Sequence, residues 1–194
     1  MSTSIMVIVG STRKVRNGRG LADAISIILS EDPEVTIDLA DLAEISLTPE
    51  DEPMPPMMGQ YQLPTTRAWS QRVVSADAVV LVTPEYNGGY PGTVKIAVDA
   101  IAKEWAAKPM AIASYGFYGG VRAHRQLSEI MGNLQADLVE VEQGLNLQFG
   151  QEDLNEQGRL VDPAAVVERH REAVVAVREA LVARAGAESV PAND

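Results

Sequence analysis

The chain has 194 residues, 46% of them apolar and 22% charged, with 16 Lys and Arg against 27 Asp and Glu, a formal net charge of −11 and no cysteine. This is the length and balance of one globular domain with a real core, and its acidity argues against a nucleic-acid surface. The lack of cysteine excludes disulfides, thiolate metal ligands, iron–sulfur clusters and thiol redox chemistry, so any electron transfer must run through a bound cofactor. No apolar stretch reaches the roughly 18 residues that span a membrane, and Met1-Ser2-Thr3-Ser4 does not open a secretory signal. The expectation is a cytoplasmic protein with no membrane insertion and no nucleic-acid partner.

Residues 4–9, Ser-Ile-Met-Val-Ile-Val, read as a first buried strand, and helical spacing of Leu21, Ala22, Ile25, Ile28 and Leu29 predicts a helix from near Gly20. A second strand covers 35–39. Residues 44–64 form a long connection rich in proline and methionine, of the kind that is functional or mobile. A helix is predicted over 65–75 and a third strand over 78–82. After the loop at 83–92, a helix is predicted over 93–102. The apolar run Ala111-Ile112-Ala113 makes a fourth strand, and a helix begins near Val121. A fifth strand is expected within 137–147. Asp162 then serves as N-cap with Pro163 at the first helical position, and a closing helix runs to about Ala185. The chain thus reads as a single domain over 1–185, with a disordered tail at 186–194. Alternating strands and helices imply a parallel sheet covered by helices on both faces.

Three of the loops carry ligand chemistry. The first strand runs into Gly10-Ser11-Thr12-Arg13-Lys14-Val15-Arg16-Asn17-Gly18-Arg19. Hydroxyls, glycines and four cations ahead of a helix N-terminus make a phosphate cradle. No Gly-Lys-Ser/Thr closes it, and Gly18-Arg19-Gly20 lies too late for a dinucleotide fingerprint, so the cradle suits a monophosphate. The third strand runs into Thr83-Pro84-Glu85-Tyr86-Asn87-Gly88-Gly89-Tyr90-Pro91-Gly92, and the fourth into Ser114-Tyr115-Gly116-Phe117-Tyr118-Gly119-Gly120. Both combine glycines, which let a backbone approach a flat ring, with aromatic faces. In a doubly wound sheet such carboxyl-end loops converge on one edge. One ligand with a phosphate at one end and a planar heterocycle at the other satisfies all three.

Gly-Ser-x-Arg after the first strand, Thr-Pro-Glu-Tyr-Asn-x-x-Tyr-Pro-x-x-Val-Lys-x-Ala-x-Asp after the third, and Ser-Tyr-Gly-x-x-Gly-Gly after the fourth together resemble the NAD(P)H-dependent FMN reductases, which include quinone, azo and flavin reductases. The likeness covers about residues 5–137. It departs at Val94-Lys95-Ile96-Ala97, where the family often has Leu-Lys-Asn-Ala, and at Gly88-Gly89, where a bulkier pair is common.

The resemblance implies a flavodoxin-like fold, a doubly wound five-stranded parallel sheet of order 2-1-3-4-5. It implies FMN held by Ser11, Arg13, Arg16, Asn17, Pro84, Glu85, Tyr86, Asn87, Gly88, Ser114, Tyr115, Gly116 and Gly119, with the backbone N–H groups of Tyr115 and Gly116 facing the ring edge. Hydride would pass from NADPH or NADH through the flavin to a flat quinone, flavin or azo acceptor in ping-pong fashion, with no side chain acting as acid or base. It also implies a homodimer or higher homo-oligomer, for which the 44–64 loop with Tyr61, Trp69, Tyr90 and Trp105 are the candidate contacts. A flavodoxin-like electron carrier or a redox-sensing FMN protein is the alternative, although flavodoxins use a neutral phosphate loop. His124 and His170 lack a second ligand at metal spacing and read as structural.

Overall fold

A computed structural model describes residues 2–141 and 144–188. The elements follow in chain order as β1 (Thr3–Val9), α1 (Gly18–Leu29), β2 (Val35–Asp41), α2 (Pro64–Ser75), β3 (Ala78–Pro84), α3 (Gly92–Asp99), β4 (Pro109–Gly116), α4 (Val121–Asn133), β5 (Asp137–Leu138), β6 (Asn146–Gln148), α5 (Pro163–Glu168) and α6 (Arg171–Glu188). All the pairings are parallel and the strand order is β2-β1-β3-β4-β5. The expected doubly wound sheet is present.

The side-chain period of two along each strand sorts the core into two layers. Ile5, Val7 and Val9 of β1, Val80 and Val82 of β3, and Ala111, Ala113 and Tyr115 of β4 face α1, α5 and α6. Met6, Ile8, Val79, Leu81, Met110 and Ile112 face α2, α3 and α4. Both faces are therefore apolar, which explains why these strands read as unbroken hydrophobic runs.

Three expected elements differ in detail. The fifth strand is interrupted. Its first part, β5, pairs with Pro109–Met110 of β4, and its second, β6, pairs with Ser114–Gly116, with Gly144 (φ +61°) lying just before β6. The closing helix is also two helices. Asp162 caps Ala165 as expected, but the chain breaks at Arg169-His170 before α6 begins. α6 then continues to Glu188, and residues 189–194 of the expected tail lie outside the described residues.

The two tryptophans expected at an interface are instead core. Trp69 is 2% exposed and Trp105 0%. Their rings meet edge to face at 6.4 Å, and their indole N–H groups donate to the carbonyls of Ala97 and Val98 at the end of α3. An indole reaching orphan carbonyls at a helix C-terminus buries its ring without leaving its own donor unmet.

The 44–64 connection is ordered by side chains. It contains two single helical turns, Pro49–Asp51 and Pro56–Met58. The Glu52 carboxylate accepts from the N–H groups of Gln62 and Leu63 at the start of α2, and the Tyr61 hydroxyl donates to Glu104.

Candidate functional site

The loops after β1, β3 and β4 converge at the carboxyl edge of the sheet around a pocket of about 330 Å³. Its wall includes Ser11, Arg13, Arg16, Asn17, Pro84, Glu85, Tyr86, Tyr115 and Gly116, nine of the thirteen residues expected there. The other wall residues are Val15, Phe117, Tyr118, Gly120, Phe149, Leu154 and Gly158. Phe149, Leu154 and Gly158 were missed because they follow β6. A fifth strand ending at 148 would have placed their loop on the same edge by the rule that gathered the other three.

Asn87, Gly88, Ser114 and Gly119 do not line the pocket. Asn87 (φ +53°) and Gly88 (φ +83°) are the central residues of a tight turn closed by two hydrogen bonds between Tyr86 and Gly89. Two consecutive positive φ angles select Asn-Gly on conformational grounds. The Gly88 carbonyl accepts from Gln126, bracing the turn against α4. Ser114 is fully buried, its hydroxyl bonded to the Gly119 carbonyl and the Asn146 side chain. Tyr115 and Gly116, whose N–H groups were expected to face the ring, both lie within the paired stretch of β4. The Glu85 carboxylate caps α4 through the N–H of Arg122.

The basic loop is less free than its sequence suggests. No acid lies between residues 10 and 20, yet β2 delivers Asp41, whose side chain is 2% exposed. Arg16 grips it with two bonds of 2.6 and 2.7 Å and also donates to the Ser11 carbonyl, while Arg19 reaches Asp41 at 3.3 Å and Asp23 at 3.0 Å. Burial by itself would raise the pKa of Asp41. The hydrogen bonds from Arg16 and the Ala43 N–H, with the Arg16 charge, outweigh it and hold the carboxyl below its usual range. Arg16 therefore ties the loop to β2. Arg13 is exposed, and its guanidinium lies 3.7 Å from the centroid of the Tyr86 ring, a cation–π contact at the pocket mouth.

Asn17 is likewise used for shape. Its amide nitrogen donates to the Gly158 carbonyl and its oxygen accepts from the Leu160 N–H. These bonds fasten the turn between Leu154 and Leu160, itself paired across that bridge, to the mouth of the cradle.

At the far side of the pocket Phe117 packs on Phe149 with centroids 5.6 Å apart, and Tyr118 is 82% exposed. A wider groove of about 760 Å³ opens beyond Phe117, Tyr118 and Phe149 and ends at the Arg169–Asp153 pair. His124 and His170 are outside the first pocket, and Met54, Met57 and Met58 of the 44–64 connection do not line it either. Among the described residues no group of three His, Cys, Asp or Glu could hold a metal ion.

A parallel sheet of order 2-1-3-4-5 with its pocket at the strands' carboxyl ends defines the flavodoxin-like class of α/β proteins. Within that class, the sequence pattern described as NADPH-dependent FMN reductase matches residues 3–148, and the chain belongs to this family of oxidoreductases, whose cofactors are FMN and NAD(P)H. It is similar to an NAD(P)H-dependent FMN reductase of Schizosaccharomyces pombe, 35% identical over 172 residues, covering 88% of this chain and 84% of that protein. A quinone reductase of Escherichia coli is 32% identical over 139 residues, covering 68% of this chain and 71% of the relative. Among solved structures, the flavoenzyme NAD(P)H:(acceptor) oxidoreductase FerB of Paracoccus denitrificans shares the fold, with a TM-score of 0.68, 22% identity and coverage of 94% and 98%.

Proposed function

We propose that this chain is an FMN-dependent NAD(P)H oxidoreductase that delivers electrons to a flat quinone, flavin or azo acceptor. The observation that carries the reading is the convergence of a hydroxyl- and cation-bearing loop with two aromatic, glycine-containing loops on one pocket. The donor set fits FMN. A buried serine, an exposed arginine and the N-terminus of α1 suit a phosphate, and Pro84, Tyr86, Gly116, Phe117 and Phe149 suit a planar ring system.

Bound FMN supplies the hydride chemistry that no side chain of this pocket provides. The protein's part is to bind, orient and shield. Arg13 offers charge to the phosphate. Arg16 and Asp41 keep the 10–18 loop in place, and the turn at 154–160, latched by Asn17, lines the pocket with Leu154 and Gly158. The Asn87-Gly88 turn, braced by Gln126, sets the other edge. The groove beyond Tyr118 gives an acceptor room to enter over aromatic surface. One docking surface used in turn by donor and acceptor leads to ping-pong kinetics.

We also assign the chain to the cytoplasm and to a homodimer or larger assembly. Exposed Met57, Met58, Phe117, Tyr118 and Val121 supply adaptable apolar surface of the sort enriched in interfaces. Among the described residues no helix is long and apolar enough to cross a membrane.

The test begins with the visible spectrum of the purified protein and titration with FMN. Steady-state oxidation of NADPH and NADH follows, with a benzoquinone varied at several donor concentrations. Parallel double-reciprocal lines support the reading. Tight FMN with turnover too slow to measure would instead favour an electron carrier.

A further inference from the structure

We propose that the phenol hydroxyls of Tyr115 and Tyr86, gathered around Ser11, form an anion-binding cluster at the foot of α1, and that Tyr115 lets the pocket discriminate a phosphorylated flavin from its unphosphorylated counterpart. This rests on the reading of the pocket as an FMN site and assigns Tyr115 a side-chain role in it.

The placement follows from strand parity. Ala111, Ala113 and Tyr115 are successive residues on the α1 face of β4. The two alanines are small, and the tyrosine at the strand's end extends beneath the first turn of α1. That turn begins with Gly18, where a Cβ atom would lie 2.5 Å from the Tyr115 hydroxyl and 3.2 Å from Cζ. Any larger residue there would push the phenol away, so the glycine makes room for a hydroxyl at the positive end of a helix.

The same Cβ position at Gly18 lies 3.4 Å from Ser11 Cβ, so the Tyr115 hydroxyl stands beside the Ser11 side chain. Ser11 Oγ in turn lies 2.6 Å from the Tyr86 hydroxyl. Ser11 is 0% exposed and Tyr115 5%. Three hydroxyls carry three protons, and the Ser11–Tyr86 bond uses one, leaving protons for an outside acceptor. Burial raises the Tyr115 pKa well above that of free tyrosine, so the hydroxyl stays protonated as a donor. The Arg13 guanidinium, stacked on the Tyr86 ring, brings positive charge to the same place. Arg16 is committed to Asp41, so neutral donors complete the shell around an anion.

The experiment compares FMN, riboflavin and inorganic phosphate on flavin-free protein. Tyr115→Phe should weaken FMN about tenfold, the scale of one hydrogen bond to a charged group, and leave riboflavin within about twofold. Inorganic phosphate should raise the Tm of the parent and raise that of Tyr115→Phe less. Gly18→Ala, which displaces the hydroxyl, should reproduce the loss, and the double variant should be no weaker than either single one. Equal weakening of FMN and riboflavin by Tyr115→Phe would reduce Tyr115 to a packing residue and overturn the proposal. So would losses that multiply in the double variant. If the parent binds neither flavin, the FMN reading fails, and the phosphate comparison still decides whether the cluster is an anion site. If Tyr115→Phe does not fold, Gly18→Ala carries the same comparisons.

Discussion

Arg13 and Arg16 are three residues apart in one loop and carry the same charge, yet their partners give them different work. Arg13 is exposed and stacks on Tyr86, whereas Arg16 is locked to a nearly buried carboxylate. Arg13→Ala should therefore weaken FMN roughly 10- to 150-fold, corresponding to about 1.5–3 kcal/mol, while riboflavin binds parent and variant alike. A parallel fall for riboflavin in isothermal titration would put Arg13 away from the phosphate. Asp41→Asn should act first on stability, because it leaves Arg16 and Arg19 without their shared anion. A loss of about 2 kcal/mol in urea unfolding is expected, with the cooperative slope unchanged. A variant as stable as the parent would mean that the pair is not what holds the loop to β2. The cluster of cations was visible in the sequence. Which of them stays free for a ligand was not, because the acid that claims Arg16 lies on another strand.

At the scale of elements, part of the pocket wall is the turn at 154–160, tied to the cradle loop by one side chain. Asn17→Ala removes the acceptor of the Leu160 N–H and the donor to Gly158. Hydrogen exchange should accelerate across residues 155–160 and stay unchanged in β1 and β3, since local opening draws on few buried contacts. Unchanged exchange at Leu160 would remove the latch. The second prediction concerns α3, whose final carbonyls are met by the two indoles. Trp69→Phe keeps an aromatic ring but loses the bond to Ala97, and should cost about 1–2 kcal/mol in stability without changing FMN affinity. A matching loss of FMN binding would mean that α3 shifts at its pocket end.

Across the whole molecule, stability should depend on pH through the two histidines. His124 is held below its ordinary value by burial, against the opposing charge of Glu140, and His170 by burial together with Arg169. The unfolded chain takes up these protons before the folded one does, so the stabilisation is full above pH 6.5 and is lost as the pH falls below it. The pairs Asp38–Arg72 and Asp41–Arg16 have carboxyl pKa values lowered from 3.8, so their contribution goes only at more acidic pH. The Tm should thus decline between pH 7 and 5, and the His124→Gln, His170→Gln double variant should flatten that decline. An equally steep fall in the double variant would assign it to other groups. Light scattering at micromolar concentration should give at least twice the 20.8 kDa chain mass. A fully active monomer would end the assembly proposal.

Unbroken apolar runs, helical spacing and loop chemistry were enough to read the alternating fold and the three loops that meet at one edge, and the family resemblance implied the strand order. Those features are local or follow from general rules of chain handedness and burial. Tertiary structure alone decided the rest. Residues far apart in sequence determine whether a charge is free or paired, as Asp41 does for Arg16. They also determine whether an aromatic ring is surface or core, as Trp105 and Ala97 do for Trp69. Asn87, Gly88, Ser114 and Gly119 belong to the motifs around the pocket without lining it, and their bonds lie within the Tyr86–Gly89 turn and at the end of β4. Parity along β4 already put Tyr115 on the α1 face. That its hydroxyl stands beside Ser11 depends on how closely α1 packs over the end of that strand, a distance that only the folded chain sets.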